Sequence, residues 1–488
     1  MTGTGTFSPG PVTTTPGRYP DMSALLAAFR ASKTTVREAL ESCFERVAAL
    51  NTSVNAVVHL EAASARRKAD RCDLERRAGR KVGPLHGVPV TVKECFDWAG
   101  RPTTWGDPDR KEHVADRDSA IVERLRKAGA IIVGKTNIPA YLGDWETCNP
   151  LHGPTRNPHD MERSAGGSSG GGAAAVASGM SYADIGSDLG GSVRLPAHYC
   201  GTFGLKPTWG LIPMLGHGPR DELREPDIGV AGPITRSARD AAMILQVLSG
   251  PADRASPWAI RLPRADPRPL RDLRVAVFLA DDMCPVDRAY LDRLDRFSAA
   301  LAESGATVGP RARPDVDLAR QTEIMNLLVR AETSTRPVLS SSWPRGTGRR
   351  ARCGHGHAEL NARGANLPHR AWLELHEERL RIGREWSRFF QEYDLLACPA
   401  GACTAPLLEM VEDVTMRTVP VNGGRRPVLE QHFWFGLASL PGLPAICVPL
   451  RREAGDPPAG VQLVSSRYAD LALCRFAEMF HEFEVKNA

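Results

Sequence analysis

A run of seven residues that are all glycine or serine, residues 166–172, constrains this chain more than any other feature. An alanine-rich segment follows the run directly from Ala173 and predicts a helix. Backbone without bulky side chains before a helix start lets amide N–H groups and hydroxyls crowd around a small anionic centre. The run therefore predicts a loop that carries chemistry, with Ser168 and Ser169 as its hydroxyl groups.

Three other interpretations of the run compete with this one. A flexible linker is disfavoured because a helix follows without a break. A phosphate-binding P-loop is disfavoured because the Gly-Lys-Ser/Thr ending is absent. The pattern Gly-X-Ser-X-Gly at residues 166–170 also matches the nucleophile elbow of α/β-hydrolases, with Ser168 as nucleophile and a downstream histidine such as His198 or His217. A five-residue match is weak by itself, so this alternative stays open.

A second glycine-serine unit, residues 186–196, places Ser192 at the end of a tight Gly-Gly turn. The consecutive N–H groups of Leu189, Gly190, Gly191 and Ser192 can converge on one oxygen, which is what an oxyanion hole requires. Taken alone, the unit favours a structural turn with a capping serine.

Length and composition bound the class of protein. The chain has 488 residues, 42% hydrophobic and 24% charged, which is the balance of a soluble globular protein. Residues 1–20 are rich in Thr, Gly and Pro and predict a flexible tail without a signal peptide. No segment reaches the roughly 18 apolar residues of a membrane span, so we expect a cytoplasmic protein without a membrane partner. The net charge of +5 is small and gives no reason to expect a nucleic-acid partner.

The eleven cysteines show no repeated spacing and predict reduced thiols, most of them in the core. Cys353, His355 and His357 carry metal-type side chains, but they stand in a Gly- and Arg-rich stretch without a second cluster nearby. This composition favours a polar loop over a metal site, so we expect no metal.

Hydrophobic periodicity predicts strands that alternate with helices. Residues 21–51 are predicted to be helical, with a capping box from Thr35 to Glu38. Residues 87–93 alternate as a strand, with Thr91 and Lys93 on the face opposite three valines. The fold class that follows is α/β, a sheet layered by helices. We expect a single domain over 21–485, with a mainly helical insertion at about 286–393 that a polar loop breaks around 342–367.

Several motifs in order along the chain resemble the amidase signature family. They are Gly-Val-Pro-Val-Thr-Val-Lys-Glu at 87–94, Gly-Lys-Thr-Asn-Ile-Pro at 134–139, the Gly-Gly-Ser-Ser-Gly-Gly run at 166–171, Gly-Ser-Asp-Leu-Gly-Gly-Ser-Val-Arg at 186–194, Cys-Gly-Thr-Phe-Gly-Leu-Lys-Pro-Thr at 200–208, Val-Ala-Gly-Pro-Ile-Thr-Arg at 230–236 and Leu-Pro-Gly-Leu-Pro-Ala at 440–445. The resemblance covers roughly residues 25–480, and an ordered set of motifs is far more specific than any one of them.

The resemblance implies one large mixed β-sheet layered by helices and a Ser-Ser-Lys triad without a cofactor. Ser192 resembles the nucleophile, Ser168 the bridging serine after a cis peptide bond from Gly167, and Lys93 the general base. Lys93 can accept a proton only when neutral, so its environment has to lower its pKa. Three further residues are expected to hold the two serine loops together: Ser169, Asp188 and Arg194.

The implied activity is hydrolysis of a small-molecule carboxylic amide to an acid and an amine or ammonia, through an acyl-enzyme on Ser192. One alternative is the A-type component of a glutamyl-tRNA amidotransferase or another acyl-transferring member, although such components usually have Gln where this chain has Leu195. Others are an esterase that uses Ser168 and a non-catalytic scaffold. The sequence does not identify the substrate, and it leaves open whether the chain forms a homodimer.

Overall fold

The computed structural model describes residues 19–219, 222–252, 259–334, 355–409 and 414–486. Within these residues the helices are α1 Met22–Arg30, α2 Val36–Val54, α3 Ala62–Arg77, α4 Ala120–Lys127, α5 Gly170–Ala177, α6 Arg194–Cys200, α7 Ala238–Leu248, α8 Arg288–Glu303, α9 Leu318–Thr333, α10 His355–Ala365, α11 His369–Glu392, α12 His432–Ser439 and α13 Asp470–Lys486. The strands are β1 Val57–Leu60, β2 Pro89–Lys93, β3 Ile131–Thr136, β4 Cys148–Asn149, β5 Gly153–Pro154, β6 Arg156–Asn157, β7 Asp160–Ser164, β8 Ala183–Asp188, β9 Phe203–Lys206, β10 Val230–Thr235, β11 Arg274–Val277, β12 Thr307–Pro310, β13 Leu395–Pro399, β14 Thr418–Val421, β15 Gly424–Pro427, β16 Ala445–Pro449 and β17 Gly460–Val464.

Eleven of these strands form one sheet in the order β1-β3-β2-β8-β10-β9-β16-β17-β13-β11-β12. Strand β2 runs parallel to both of its neighbours, β3 and β8, while β10 is antiparallel to β8. The sheet is therefore mixed, and the predicted α/β fold class is confirmed. Because β2 and β8 are adjacent and parallel, their C-terminal ends bring Lys93 and Asp188 to the same edge of the sheet.

Both faces of the central strands are covered. Every residue of β2, β3, β8 and β10 is buried, including Thr91 and Lys93 on the face predicted to be polar. Helix α5 packs on β8 and on α6, and its glycines and alanines permit a close approach. Burial on both faces is typical of parallel strands under helices, so Lys93 lies inside the protein instead of facing solvent.

Some predicted element bounds are wrong. Residues 21–51 form two helices, because the chain breaks after α1 and restarts at the Thr35–Glu38 capping box that begins α2. Residues 355–365, predicted to be part of a loop, form α10. The segment predicted as a helical insertion also supplies β12, which pairs with β11 at the sheet edge. Helix and strand periods are hard to separate in such short or strongly charged segments.

Residues 1–18 of the predicted tail lie outside the described part of the chain. In the part that is described, no helix combines the length and apolar character needed to cross a membrane.

Candidate active site

Lys93 is the last residue of β2, and its side chain reaches the loop that carries Ser168. Its side chain is fully buried, and its Nζ lies 2.7 Å from Ser168 Oγ. The same nitrogen lies 3.1 Å from Ser187 Oγ and 3.4 Å from the Ser187 carbonyl oxygen. The structure thus brings Lys93 and Ser168 together across 75 residues of sequence, and it adds Ser187, which sequence reasoning did not single out.

Ser168 lies between β7 and the start of α5, and its hydroxyl is almost completely buried. The peptide bond from Gly167 to Ser168 is cis, as the resemblance implies. Glycine is required at 167 because a Cβ there would lie 2.7 Å from the Asp144 carbonyl oxygen. The predicted loop residue Ser169 donates its hydroxyl to the Ser187 carbonyl at 3.3 Å and thereby ties α5 to β8.

Ser192 lies in the turn after β8 and is partly exposed, unlike the buried Lys93 and Ser168. Its carbonyl oxygen accepts the Ser169 N–H at 3.1 Å, so the two serine loops are bonded to each other. Among the described residues no hydrogen bond joins the Ser168 and Ser192 hydroxyls. The structure therefore pairs Lys93 with Ser168 inside the protein and leaves Ser192 partly exposed in the loop bonded to that of Ser168.

The amides of the predicted oxyanion hole divide into two groups. The Gly191 N–H donates to Asp188 Oδ1 at 2.8 Å, so it is not available to a substrate oxygen in this arrangement. The N–H groups of Leu189, Gly190 and Ser192 have no acceptor within the part of the chain that the structure describes. Asp188 therefore holds the turn through the Gly191 amide. Convergence of the other three amides on a substrate oxygen stays a prediction.

Asp188 and Arg194 form a fully buried ion pair beneath this turn. Arg194 binds the carboxylate with two nitrogens, Nε at 3.0 Å and Nη2 at 2.8 Å. It also donates to the Phe435 carbonyl, to Gln462 and to Ser439. Burial acts to raise the pKa of Asp188, but Arg194 brings that pKa down to about 2. Arg194 therefore ties the turn that carries Ser192 to α12 and β17. The role of the pair in holding the two serine loops together stays a prediction.

Neither histidine of the α/β-hydrolase alternative reaches Ser168. His198 Nε2 lies 3.0 Å from the Cys403 carbonyl oxygen, and its Nδ1 accepts the Gly460 N–H at 2.7 Å. His217 Nε2 lies 3.0 Å from Ser187 Oγ. The hydrogen-bond partner of Ser168 is Lys93, so the geometry does not support a Ser168-His pair.

Aromatic residues border the Gly190–Gly191 turn. Trp145 donates its indole N–H to the Gly190 carbonyl at 3.1 Å and packs edge-on against His432 at 4.6 Å. A Cβ at Gly191 would lie 2.5 Å from the Phe435 ring. Phe435 is fully buried in the hydrophobic core, so a core side chain borders the candidate site.

Asp184 is a second buried carboxyl near the triad that the sequence did not reveal. It is fully buried on β8, and Thr136 donates to its Oδ2 at 3.0 Å, while its Oδ1 has no hydrogen-bond partner among the described residues. Burial raises its pKa from the ordinary value to about 6. The carboxylate form is thus unfavourable inside the folded protein.

The Asp184→Asn variant should be more stable than wild type above neutral pH. The pKa is raised on folding, so the stabilisation by Asp184 is complete below its unfolded value and is lost as pH rises through about 6. The neutral amide removes this loss. We therefore expect the Asp184→Asn variant to gain about 3 kcal/mol of stability at pH 8 and less than about 1 kcal/mol at pH 4. Urea unfolding at both pH values measures this. Equal destabilisation at both would contradict it.

The metal cluster considered from sequence cannot be placed, because Cys353 and the side chains of His355 and His357 lie outside the described part. A different trio, Cys72, Glu75 and His86, has ligand-type atoms within 4.8 Å of one another. Burial raises the pKa of the Cys72 thiol to about 11. The expectation of no metal therefore stays a prediction.

Comparisons with known proteins identify the family and agree with the fold. The model of the family described as Amidase matches residues 38–474. Three relatives cover most of the chain. They are an indoleacetamide hydrolase of Bradyrhizobium diazoefficiens (33% identical, covering 92% of this chain and 83% of the relative), an acylamidase of Rhodococcus erythropolis (32%; 94% of each) and the A-type component of the glutamyl-tRNA(Gln) amidotransferase of Symbiobacterium thermophilum (31%; 92% and 93%).

A solved bacterial aryl acylamidase of the amidase signature enzymes superposes with a TM-score of 0.80 and is 25% identical, with 95% of this chain and 96% of that chain covered. Fold, site and relatives together define the class, which is that of amide-bond hydrolases. The chain belongs to the amidase family.

Proposed function

We propose that this protein hydrolyses a carboxylic amide to an acid and an amine or ammonia through an acyl-enzyme on Ser192. The observation that carries the proposal is the 2.7 Å distance between the fully buried Lys93 Nζ and Ser168 Oγ, beside a partly exposed serine. A serine hydroxyl is a weak nucleophile until a neighbouring base removes its proton. Burial of the lysine favours its neutral form, which can act as that base.

In the proposed first half-reaction, Ser192 Oγ attacks the amide carbonyl carbon. Its proton passes to Ser168, whose own proton passes to Lys93. This requires the Ser192 hydroxyl to turn onto Ser168 when substrate is bound, since catalytic hydrogen bonds often tighten only in the substrate complex. The protonated lysine then returns a proton through Ser168 to the leaving nitrogen, the C–N bond breaks, and the acyl group stays on Ser192.

In the second half-reaction a water molecule attacks the acyl-enzyme and releases the acid. Its proton follows the same route to Lys93 and returns to Ser192 as the ester bond breaks. Both tetrahedral intermediates carry a negative oxygen. We assign its stabilisation to the N–H groups of Leu189, Gly190 and Ser192, because preorganised donors of this kind contribute most where charge develops.

The chemistry of the turn favours a substrate with an apolar group next to the scissile amide. Trp145 and Phe435 border Gly190 and Gly191, and their ring centroids are 6.0 Å apart. An indoleacetamide hydrolase and an acylamidase are among the relatives. We therefore propose an aryl or acyl amide. The A-type amidotransferase component is the second candidate, because proteins of that kind are also among the relatives. Leu195 argues mildly against it.

The proposed setting is that of a small-molecule enzyme in the cytoplasm, without a nucleic-acid or membrane partner and without a cofactor. The small net charge of +5 supports the absence of a nucleic-acid partner. One domain over residues 21–485 is supported by the main sheet, which takes strands from Val57 to Val464.

Labelling with a fluorophosphonate tests the proposal. We expect the reagent to modify Ser192, as peptide mapping by mass spectrometry would show. The Ser192→Ala variant should lose both the label and amide hydrolysis while keeping its unfolding midpoint, because a small turn residue carries little of the core. Ser168→Ala should slow labelling without moving its site. Retention of the label in Ser192→Ala together with its loss in Ser168→Ala would favour the elbow interpretation instead.

A screen with phenylacetamide, acetamide and glutamine separates the two candidate functions. A stand-alone aryl amidase should turn over phenylacetamide fastest. Preference for glutamine, or co-purification with partner proteins, would favour the amidotransferase candidate.

A further inference from the structure

A buried histidine reaches the candidate triad through an intermediate serine. His217 Nε2 lies 3.0 Å from Ser187 Oγ, and Ser187 Oγ lies 3.1 Å from Lys93 Nζ. Both His217 and Ser187 are buried. The four side chains form a continuous series from His217 through Ser187 and Lys93 to Ser168, of which the proposed mechanism uses only the last two.

The imidazole of His217 is held in place from several sides. Its ring packs against Phe96 at 4.9 Å and edge-on against Trp105 at 5.4 Å. The backbone N–H of His217 donates to the Met214 carbonyl at 2.9 Å, and the preceding Gly216 carbonyl accepts the Asp97 N–H at 2.9 Å. The imidazole of His217 is therefore held in one orientation towards Ser187.

The hydrogen-bond capacity of a lysine amine explains why this geometry matters. A neutral amine has two N–H donors and one lone pair, and a base needs the lone pair directed at the hydroxyl it deprotonates. The Ser187 oxygens, at 3.1 Å and 3.4 Å, are acceptors for the two N–H groups. A serine hydroxyl can also donate, however. A Ser187 proton turned towards Lys93 would occupy the lone pair that Ser168 needs.

We propose that His217 is a positioning residue for Lys93, because its neutral imidazole accepts the Ser187 hydroxyl proton and leaves Ser187 Oγ only as an acceptor for the lysine amine. The lone pair of Lys93 is then directed at Ser168. A protonated His217 donates to Ser187 instead, and the Ser187 proton turns towards Lys93. This inference rests on the proposed function, since it concerns how the proposed base is oriented.

The rate of Ser192 inactivation by a fluorophosphonate, measured as kinact/KI from pH 5 to 9, tests the role of His217. His217→Phe keeps a ring but accepts no proton, and we expect it to lower this rate about 10- to 100-fold at pH 8. His217→Gln can still accept the Ser187 proton through its amide oxygen, so we expect a rate within about threefold of wild type at pH 8.

The pH profile separates positioning from packing. On the acid side the wild-type rate should fall more steeply than tenfold per pH unit over part of the range, because protonation of His217 lowers the rate in addition to protonation of Lys93. It should fall only about tenfold per unit in His217→Gln, which cannot titrate. Other charged groups on the segments packed against His217 also affect the pH profile. Because wild type and His217→Gln share these groups, the difference between their two profiles reports His217. These groups are Lys93, Glu94, Asp97, Arg101, Asp107, Asp184, Asp188 and Glu225.

His159→Gln is the matched control, because the His159 ring contacts the Cys200 carbonyl, away from the triad. It should leave both the rate and the slope at wild-type values. Labelling of wild type at Ser192 together with an unchanged rate in His217→Phe would overturn the role of His217 alone, as would identical acid limbs for wild type and His217→Gln. Failure of wild type to label at Ser192 would overturn the proposed function and this role with it.

Discussion

Replacing Lys93 by methionine should lower kcat/KM for amide hydrolysis by about 10³-fold or more, because the proposed site then lacks its only base. Methionine matches the length and apolar stem of the lysine, so the buried site stays filled. Lys93→Arg should fail almost as badly. A guanidinium stays protonated at every accessible pH and cannot accept the proton of Ser168.

The control for this experiment is a second fully buried lysine. Lys135 lies on β3, and its Nζ binds Thr103 Oγ1 at 2.9 Å, away from both triad serines. Lys135→Met removes a buried amine from the neighbouring strand. It therefore measures how much kcat/KM falls from changes in burial and packing alone. We expect its kcat/KM to stay within about tenfold of wild type for the folded enzyme. Unfolding midpoints of all three variants separate lost chemistry from lost fold.

The outcome for Lys93→Arg distinguishes proton acceptance from positive charge. Wild-type kcat/KM should rise with pH through the apparent pKa of the coupled triad, because the active form has a neutral amine. Near-wild-type turnover in Lys93→Arg would show that position 93 supplies a positive charge. The triad assignment would then have to be withdrawn.

The sequence predicted the parts of the site that stand in local patterns. Lys93, Ser168 and Ser192 could be proposed because ordered motifs around them resemble one family. The strand pattern alone is typical of a solvent-facing lysine, and the Gly-Gly turn alone of a capping serine. Asp188 and Arg194 stand within six residues of each other in one motif, so their pairing was accessible too. For such residues, local chemistry and spacing already limit the geometry.

The remaining residues could not be predicted because their positions depend on contacts between distant segments. Ser187 and His217 are 30 residues apart in sequence and meet only because the loop after β9 folds back onto β8. Asp184 looks like an ordinary polar residue of a strand until helix α5 buries it. The Gly191 amide was predicted to face a substrate because nothing in the motif shows that the Asp188 carboxylate turns back to accept it.

The second large effect that we expect is on stability. Arg194→Met should lower the free energy of unfolding by about 3–5 kcal/mol at pH 7, because it leaves the Asp188 carboxylate buried without its cation. The guanidinium supplies two bonds to Asp188 and reaches α12 and β17 through Phe435 and Gln462. Three backbone N–H groups remain bound to Asp188, those of Gly191, Val193 and Arg194 itself, and they do not neutralise it.

Three measurements by urea unfolding test whether this cost arises from the buried charge. Arg381→Met removes the exposed partner of Glu377 and should change stability by less than about 0.5 kcal/mol, because exposed pairs contribute little. The double variant Asp188→Asn, Arg194→Met should lose less than Arg194→Met alone, since no uncompensated charge is left.

The third measurement is the pH dependence. In wild type the pKa of Asp188 is depressed to about 2, so its stabilisation is present above the unfolded value of about 3.9 and is lost only as pH falls towards 2. Without Arg194, burial raises the pKa of Asp188. Its carboxylate then becomes protonated as pH falls from 7 to 5, and the variant loses less stability. The difference between wild type and Arg194→Met should therefore narrow over this range. A loss below 1 kcal/mol at pH 7, with no change at pH 5, would show that desolvation of the pair already cancels its attraction.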